Sequence, residues 1–156
     1  MCDRLLSHLK MGWAGVYMTG QKKTPVLKWA GGKTQLLDAL QERMPKSYNK
    51  YYEPFVGGGA LFLAVSPCKA VINDTNEQLI NLYRQLKHNY TDVIHTINEW
   101  DNIPCNKEIY LSMRTKYNEK IKQHKLDSEC AALMIWLNKH CFNGLYRVNG
   151  KGLRCV

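Results

Sequence analysis

One stretch of the chain decides the fold: residues 51–65, which read YYEPFVGGGALFLAV. The aromatic and apolar residues before the glycines predict a strand, and the wholly apolar residues 60–65 predict a short buried helix. Gly57, Gly58 and Gly59 lie between them and let the backbone turn sharply and approach a ligand closely. The first N–H groups of the new helix point toward that ligand. The stretch therefore predicts a nucleotide-binding corner made of a strand, a glycine turn and a helix.

A second strand follows this corner at residues 70–72 and is followed directly by Asn73 and Asp74. In nucleotide-binding folds of this kind, an acidic residue at the end of the second strand holds a ribose. The spacing from Asp74 to Glu77 is also that of a helix capping box. Two alternatives therefore stay open: Asp74 caps the next helix, or the glycines form an ordinary turn.

The composition indicates a globular protein with an anionic partner. The 156 residues are enough for one domain or a piece of one, and 45% of them are hydrophobic, which supports a buried core. Lys and Arg number 22 against 13 Asp and Glu, so the formal net charge is +9. Nucleic acid is the first candidate partner for such a chain, although the charge could serve solubility alone.

The six cysteines show no C-x-x-C spacing, which argues against a zinc or redox site. Their scatter, with no convincing secretory signal, predicts reduced thiols in a cytoplasmic protein. No apolar run approaches the roughly 20 residues needed to span a bilayer. Residues 1–23 are interpreted as a leader of unknown role.

Residues 24–34, which read TPVLKWAGGKT, predict an extended segment and a Gly-Gly turn. We expect Thr34 to cap a helix that ends at Pro45. The apolar face of that helix comprises Leu36, Leu37, Leu40 and Met44. Gly32-Lys33-Thr34 imitates the end of a phosphate-binding loop, but Leu27 occupies the position where that motif needs glycine. Lys33 could hold an anionic group or be a solvated lysine, and Trp29 could stack on a flat ring or lie in the core.

Periodic apolar residues predict one helix over residues 79–86 and three more around residues 93–97, 109–121 and 133–137. The stretch from about 90 to 143 therefore resembles a helical subdomain attached to the α/β part. One of these helices ends in lysines that are either solvated or suited to phosphate. They are Lys116, Lys120, Lys122 and Lys125.

Residues 139–152, which read KHCFNGLYRVNGKG, mix aromatic, amide and basic residues around two turn signals. Such a mixture can read a duplex, since aromatic rings stack, Asn and Arg bond to base edges and Lys meets phosphate. An ordinary hairpin is the alternative. His140 and Cys141 are adjacent, so their side chains diverge on a helix, and we discount a metal or nucleophile site there.

Three segments resemble one family, the Dam-type (D12 class) adenine-specific DNA methyltransferases. They are residues 27–33 (LKWAGGK), residues 53–59 (EPFVGGG) followed by Asn73-Asp74, and residues 142–149 (FNGLYRVN). The resemblance covers about residues 24–152. It implies methylation of adenine N6 within GATC, with S-adenosylmethionine as the methyl donor and double-stranded DNA as the partner. Restriction-modification is a context that the resemblance suggests, and whether a restriction enzyme partner exists stays open.

The resemblance also implies an architecture and a set of site residues. Residues 24–89 match the first part of a Rossmann-like α/β domain, residues 90–152 match a helical target-recognition region, and residues 153–156 form a divergent tail. The cofactor-binding positions implied are Trp29, Lys33, Pro54, Phe55, Gly57, Gly59 and Asp74. The DNA-binding positions implied are Lys28, Phe142, Asn143, Arg147 and Asn149.

The family's catalytic Asp-Pro-Pro-Tyr motif does not occur in these residues. We therefore expect a truncated, inactive fragment with no catalytic residue. It would be a monomer, or would pair with a complementing C-terminal fragment. The missing strands would leave apolar faces uncovered and the chain prone to aggregation. Two other functions stay open: a non-catalytic DNA-binding remnant and, less favoured, a nucleotide-binding protein of the phosphate-loop type.

Overall fold

The computed structural model describes residues 25–150 and 152–154, so the expected leader at residues 1–23 lies outside the described residues. In chain order the elements are a 3₁₀ turn Lys33–Leu36, α1 Leu37–Glu42, β1 Tyr51–Glu53, α2 Ala60–Val65, β2 Ala70–Ile72, α3 Glu77–His88, α4 Tyr90–Asp101, α5 Lys107–Lys122, α6 Ser128–His140 and a 3₁₀ turn Phe142–Gly144. The described residues form a small structure of mixed helix and strand.

The predicted strand, glycine turn, helix and second strand are confirmed as β1, the glycines, α2 and β2. β1 and β2 are parallel, and Tyr51, Tyr52 and Glu53 pair with Ala70, Val71 and Ile72. A parallel pair needs a crossover connection, and α2 supplies it. The carboxyl ends of both strands therefore lie side by side, next to the glycine turn.

Helix α6 is the centre of the helical part. Its residues Cys130 to Asn138 are all buried, and α3, α4 and α5 pack against it. A helix that is apolar on all sides is stable only when other elements surround it. The buried core runs without a break from Leu27 and Val56 near the glycines to Trp136 in α6.

Three of the helices begin at a polar side chain that accepts a main-chain N–H. Asn76 accepts from Leu79 at the start of α3, Asn106 from Ile109 at α5, and Asp127 from Cys130 at α6, each at 2.8 Å. Caps of this kind satisfy donors that the first helical turn leaves free.

Three local expectations are wrong. The expected cap at Thr34 is absent, because the 3₁₀ turn begins at Lys33 after Gly32 without a side-chain cap, and Leu36 is 58% exposed instead of facing the core. The alternative in which Asp74 caps the next helix is also wrong, since Asn76 caps α3.

The described cysteines agree with reduced thiols, since Cys68, Cys105, Cys130 and Cys141 are all free. Burial raises the pKa of the Cys130 thiol to about 12, so it remains protonated. Among the described residues, no helix combines the length and the apolar character needed to cross a membrane.

Candidate functional site

The carboxylate of Asp74 joins the glycine corner (Gly57–Gly59) to the start of α3. Its Oδ2 accepts the main-chain N–H of Gly57 at 2.9 Å, and its Oδ1 accepts that of Asn76 at 3.1 Å. A carboxylate oxygen has two lone pairs, so each oxygen keeps a further acceptor position. Two neighbouring acceptors suit the adjacent hydroxyls of a ribose.

The glycine corner is tight because the protein's own side chains lie against it. Gly57 and Gly59 have positive φ angles of 51° and 76°, which favour glycine. A Cβ atom on Gly57 would lie 3.1 Å from Cδ1 of Trp29, and one on Gly59 would lie 2.6 Å from the hydroxyl of Tyr83. That hydroxyl donates to the carbonyl of Gly57 at 2.8 Å. Burial, with the nearby charges of Glu53 and Asp74, raises the pKa of Tyr83, so it remains a donor.

Trp29 is partly buried, and two neighbours fix the position of its ring: the backbone of Gly57 and the ring of Tyr146. Its ring lies against Gly57, and it stacks on Tyr146 with ring centroids 5.0 Å apart and planes 18° from parallel. Trp29 therefore packs against the core, as one of its two sequence interpretations expects, and it also borders the glycine corner.

Lys33 is engaged with the end of β1. Its Nζ donates to Oε1 of Glu53 at 3.2 Å and to the carbonyl of Phe55 at 2.7 Å. Glu53 is only 6% exposed, and its second oxygen accepts the hydroxyl of Tyr51 at 2.6 Å. Lys33 thus balances a buried carboxylate. Pro54 and Phe55 follow directly and are exposed.

Lys28, a predicted DNA contact, is anchored through its main chain. Its N–H donates to Oδ1 of Asn138, and Nδ2 of Asn138 donates back to its carbonyl, both at 3.1 Å. Asn138 is 4% exposed, so this pair satisfies a buried amide within α6. Cδ of Lys28 lies 2.8 Å from where a Cβ on Gly144 would stand. The structure thus brings Lys28 to the turn that carries Phe142 and Asn143.

The other predicted DNA contacts lie on one exposed segment. Phe142 is 75% exposed, and Asn143 and Arg147 are also exposed. Asn149 closes a short hairpin, because its N–H donates to the carbonyl of Leu153 at 2.8 Å and its Oδ1 accepts the N–H of Leu153 at 3.1 Å. The segment presents an aromatic ring, an amide and a guanidinium together.

Two of the four lysines predicted at the end of α5, Lys116 and Lys120, tie this helix to its neighbour, whereas Lys122 and Lys125 are exposed and Lys125 lies beyond the helix. Lys116 pairs with Glu129, and Lys120 pairs with Asp127 at 2.7 Å and with Glu129 at 2.8 Å. These pairs tie α5 to α6. Among the residues that the structure describes, no cluster of His, Cys, Asp and Glu could hold a metal ion.

Four residues at this site were missed as site residues by the sequence reasoning. They are Glu53, Tyr83, Asn138 and Tyr146. Asn138 offered a signal, since it is an amide at the end of an apolar run. Tyr83 was counted only as part of an apolar helix face, and no local pattern pairs Tyr146 with Trp29.

Comparison with known proteins identifies the family of this chain. Residues 29–153 match the family model of the D12 class N6 adenine-specific DNA methyltransferases. The chain belongs to this family. The resemblance carried by residues 27–33, 53–59 and 142–149 is thereby confirmed. D12 methyltransferases are enzymes that methylate adenine in DNA.

Three relatives of this D12 methyltransferase chain show how much of the family it covers. It is 46% identical over 127 residues to a type II methyltransferase of Lactococcus lactis subsp. cremoris, covering 81% of this chain and 44% of the relative. It is 41% identical over 146 residues to a type II methyltransferase of Methanocaldococcus jannaschii, covering 82% and 49%. It is 36% identical over 135 residues to the DNA adenine methylase of Vibrio cholerae, covering 85% and 46%. The chain thus spans about half the length of these curated relatives.

Proposed function

We propose that this chain is the S-adenosylmethionine-binding and DNA-reading part of an adenine-N6 methyltransferase that acts on GATC duplexes. The observation that carries the proposal is the Asp74 carboxylate bonded to the Gly57 N–H at 2.9 Å, with Trp29 against the same glycine. This arrangement supplies acceptors for a ribose beside an aromatic ring. The parallel β1–α2–β2 unit supports assignment of residues 24–89 to a Rossmann-like domain.

In this proposal, Asp74 binds the ribose hydroxyls and Trp29 packs against the adenine ring of S-adenosylmethionine. Gly57 and Gly59 allow close approach of the cofactor to the backbone. Lys33 holds the end of β1 in place, and Pro54 and Phe55, which follow β1 directly, form the adjoining wall. When bound, the cofactor supplies an electrophilic methyl group.

The exposed segment after α6 reads the DNA in this proposal, within a target-recognition region of residues 90–152. Phe142 stacks near the disturbed base pair, while Asn143 and Arg147 bond to base edges. Lys28 contacts a phosphate, and Asn149 shapes the hairpin that carries the reading residues. The net charge of +9 supports an anionic partner.

We further propose that these 156 residues bind both ligands without transferring the methyl group. The amine of adenine is a poor nucleophile, because its lone pair is delocalised into the ring. In the family, the Asp-Pro-Pro-Tyr motif accepts the amine hydrogens and stacks on the flipped base. This sequence contains no such tetrapeptide. A segment that carries the motif would complete the centre.

The test is calorimetric titration of the purified chain with S-adenosylhomocysteine, with ATP as the control, and with GATC duplex against a scrambled duplex. We expect the chain to bind S-adenosylhomocysteine and not ATP. We also expect it to prefer the GATC duplex over the scrambled one, with a preference that weakens as the salt concentration rises. Labelled S-adenosylmethionine should give no methylated duplex. Absence of S-adenosylhomocysteine binding would overturn the cofactor site, and methylation would overturn the proposed inactivity.

One further candidate function has a specific observation in its favour. The exposed Phe142, Asn143 and Arg147 could serve a DNA-binding module that lacks a cofactor, which predicts duplex binding without S-adenosylhomocysteine binding. A phosphate-loop nucleotide hydrolase is disfavoured, because Leu27 replaces the required glycine and Lys33 is paired with Glu53.

A further inference from the structure

We infer that Tyr146 is a positioning residue that sets the ring of Trp29 for the adenosine of the cofactor, an inference that rests on the proposed cofactor site. The two rings stack with centroids 5.0 Å apart and an angle of 18° between their planes. Offset stacking at such a separation is favourable and directional. Trp29 also lies against Gly57, where Cδ1 is 3.1 Å from the position of a Cβ. The ring of Trp29 thus lies between Tyr146 and the glycine corner and contacts both.

Tyr146 is itself firmly held. It is 8% exposed, and its hydroxyl lies 3.3 Å from the hydroxyl of Tyr117, which is fully buried in α5. The guanidinium carbon of Arg154 lies 5.0 Å from the centre of the Tyr146 ring, within the range of a cation–π contact. Because these partners come from α5 and from the hairpin, the ring of Tyr146 is a fixed surface for Trp29.

Trp29 has less support of its own. It precedes the first helical turn and lies in no helix or strand, and its carbonyl accepts the N–H of Gly32 at 3.1 Å. A side chain ordered only on ligand binding costs conformational entropy, and one held in advance does not. Tyr146 therefore raises cofactor affinity without touching the cofactor.

The experiment measures the Kd of S-adenosylhomocysteine for the full chain and its variants. Tyr146→Leu removes the stack and is expected to weaken binding roughly threefold to tenfold, the range of one aromatic pair. Tyr146→Phe keeps the ring and should bind within about twofold of the unaltered chain. Tyr90→Leu is the matched control, because Tyr90 is 44% exposed at the start of α4, and it should leave the Kd unchanged.

A double-mutant cycle separates positioning from a general loss of structure. In a Trp29→Leu background, Tyr146→Leu should weaken binding by less than about twofold, because the residue through which it acts is gone. If Tyr146→Leu does not fold, as judged by circular dichroism, Tyr146→Met replaces it, since it fills more of the ring's volume without stacking.

The outcomes are distinguishable. If the unaltered chain binds no S-adenosylhomocysteine, the proposed cofactor site fails, and this inference fails with it. If the unaltered chain binds S-adenosylhomocysteine and Tyr146→Leu binds it equally well, only the proposed role of Tyr146 is wrong. An undiminished effect of Tyr146→Leu in the Trp29→Leu background also contradicts positioning through Trp29.

Discussion

The main-chain N–H of Gly57 donates a hydrogen bond to the side-chain carboxylate of Asp74, 17 residues further along the chain. This bond closes the β1–α2–β2 unit at the carboxyl ends of its strands, where ligands bind in open α/β sheets. The same carboxylate accepts the N–H of Asn76, so one side chain sets the glycine corner and the start of α3 together.

Replacement of Asp74 by alanine should affect both stability and binding. Two main-chain N–H groups lose their acceptor, so we expect a loss of about 1–3 kcal/mol in the free energy of unfolding, measured by urea denaturation. S-adenosylhomocysteine should bind at least roughly tenfold more weakly, because the acceptors for the ribose hydroxyls disappear. Asp92→Ala, at an exposed acid in the first turn of α4, is the control: it should leave the Kd unchanged and lower the free energy of unfolding by less than about 1 kcal/mol. An unaltered Kd for Asp74→Ala would refute the ribose contact.

Gly59→Ala should destabilise the chain by about 1–3 kcal/mol, because it combines a left-handed backbone with a crowded Cβ position. The new Cβ would stand 2.6 Å from the hydroxyl of Tyr83, whereas a Cβ on Gly150 meets nothing within 4 Å. Gly150→Ala is therefore the control and should be nearly neutral. Adding Tyr83→Phe to Gly59→Ala should recover part of the loss, since it removes the colliding oxygen. Thermal unfolding followed by circular dichroism measures the three variants and the unaltered chain, and equal melting temperatures for Gly59→Ala and Gly150→Ala would contradict the crowding.

The contact between α5 and α6 should weaken in acid. Burial alone would raise the pKa of Asp127 and Glu129. Hydrogen bonds from Lys120 to both, together with those from Lys116 to Glu129 and from the Cys130 N–H to Asp127, outweigh it and lower both pKa values. Because the folded pKa values lie below the unfolded ones, near 3.8 and 4.5, their stabilisation is complete above those values and is lost as pH falls through the folded pKa values.

Urea denaturation at a series of pH values from about 6 to about 3 tests this dependence. At about pH 6, Lys120→Met should lower the free energy of unfolding by about 1 kcal/mol or less, since the acids are partly exposed. Between about pH 6 and about pH 3, this variant should lose less stability than the unaltered chain does. Lys46→Met, at an exposed position, is the control. Parallel curves for Lys120→Met and the unaltered chain would show that these pairs do not carry the acid sensitivity.

Arg147→Met should weaken binding to GATC duplex by about 1–3 kcal/mol and reduce discrimination against a scrambled duplex, if the guanidinium bonds to a base edge. Fluorescence anisotropy with both duplexes at two salt concentrations measures the effect. Arg84→Met removes the same charge from an exposed position on α3 and should cost far less. Equal losses on both duplexes would instead assign Arg147 to phosphate.

Local patterns were sufficient for much of the fold. Residues 60–65 formed a helix and residues 70–72 a strand, as the apolar runs and the glycines between them predicted. The helices after residue 76 followed their apolar periods. The prediction that Thr34 caps a helix was wrong, because a hydroxyl residue after Gly-Gly does not specify where the turn begins.

Contacts between distant residues could not be predicted in the same way. The pairing of Lys33 with Glu53 and of Lys28 with Asn138 depends on how β1 and α6 approach the first segment. The stack of Trp29 on Tyr146 joins residues from opposite ends of the described chain.

The order of the motifs along the chain by itself determined the family, the glycine corner and the acidic residue that follows β2, because these depend on residue type at short spacing. Only the tertiary structure decided what each side chain contacts: that Asp74 bonds to Gly57, that Lys33 balances Glu53 and that Tyr146 supports Trp29. Such pairings depend on packing around α6, which brings together residues far apart in sequence and leaves no local pattern to reveal them.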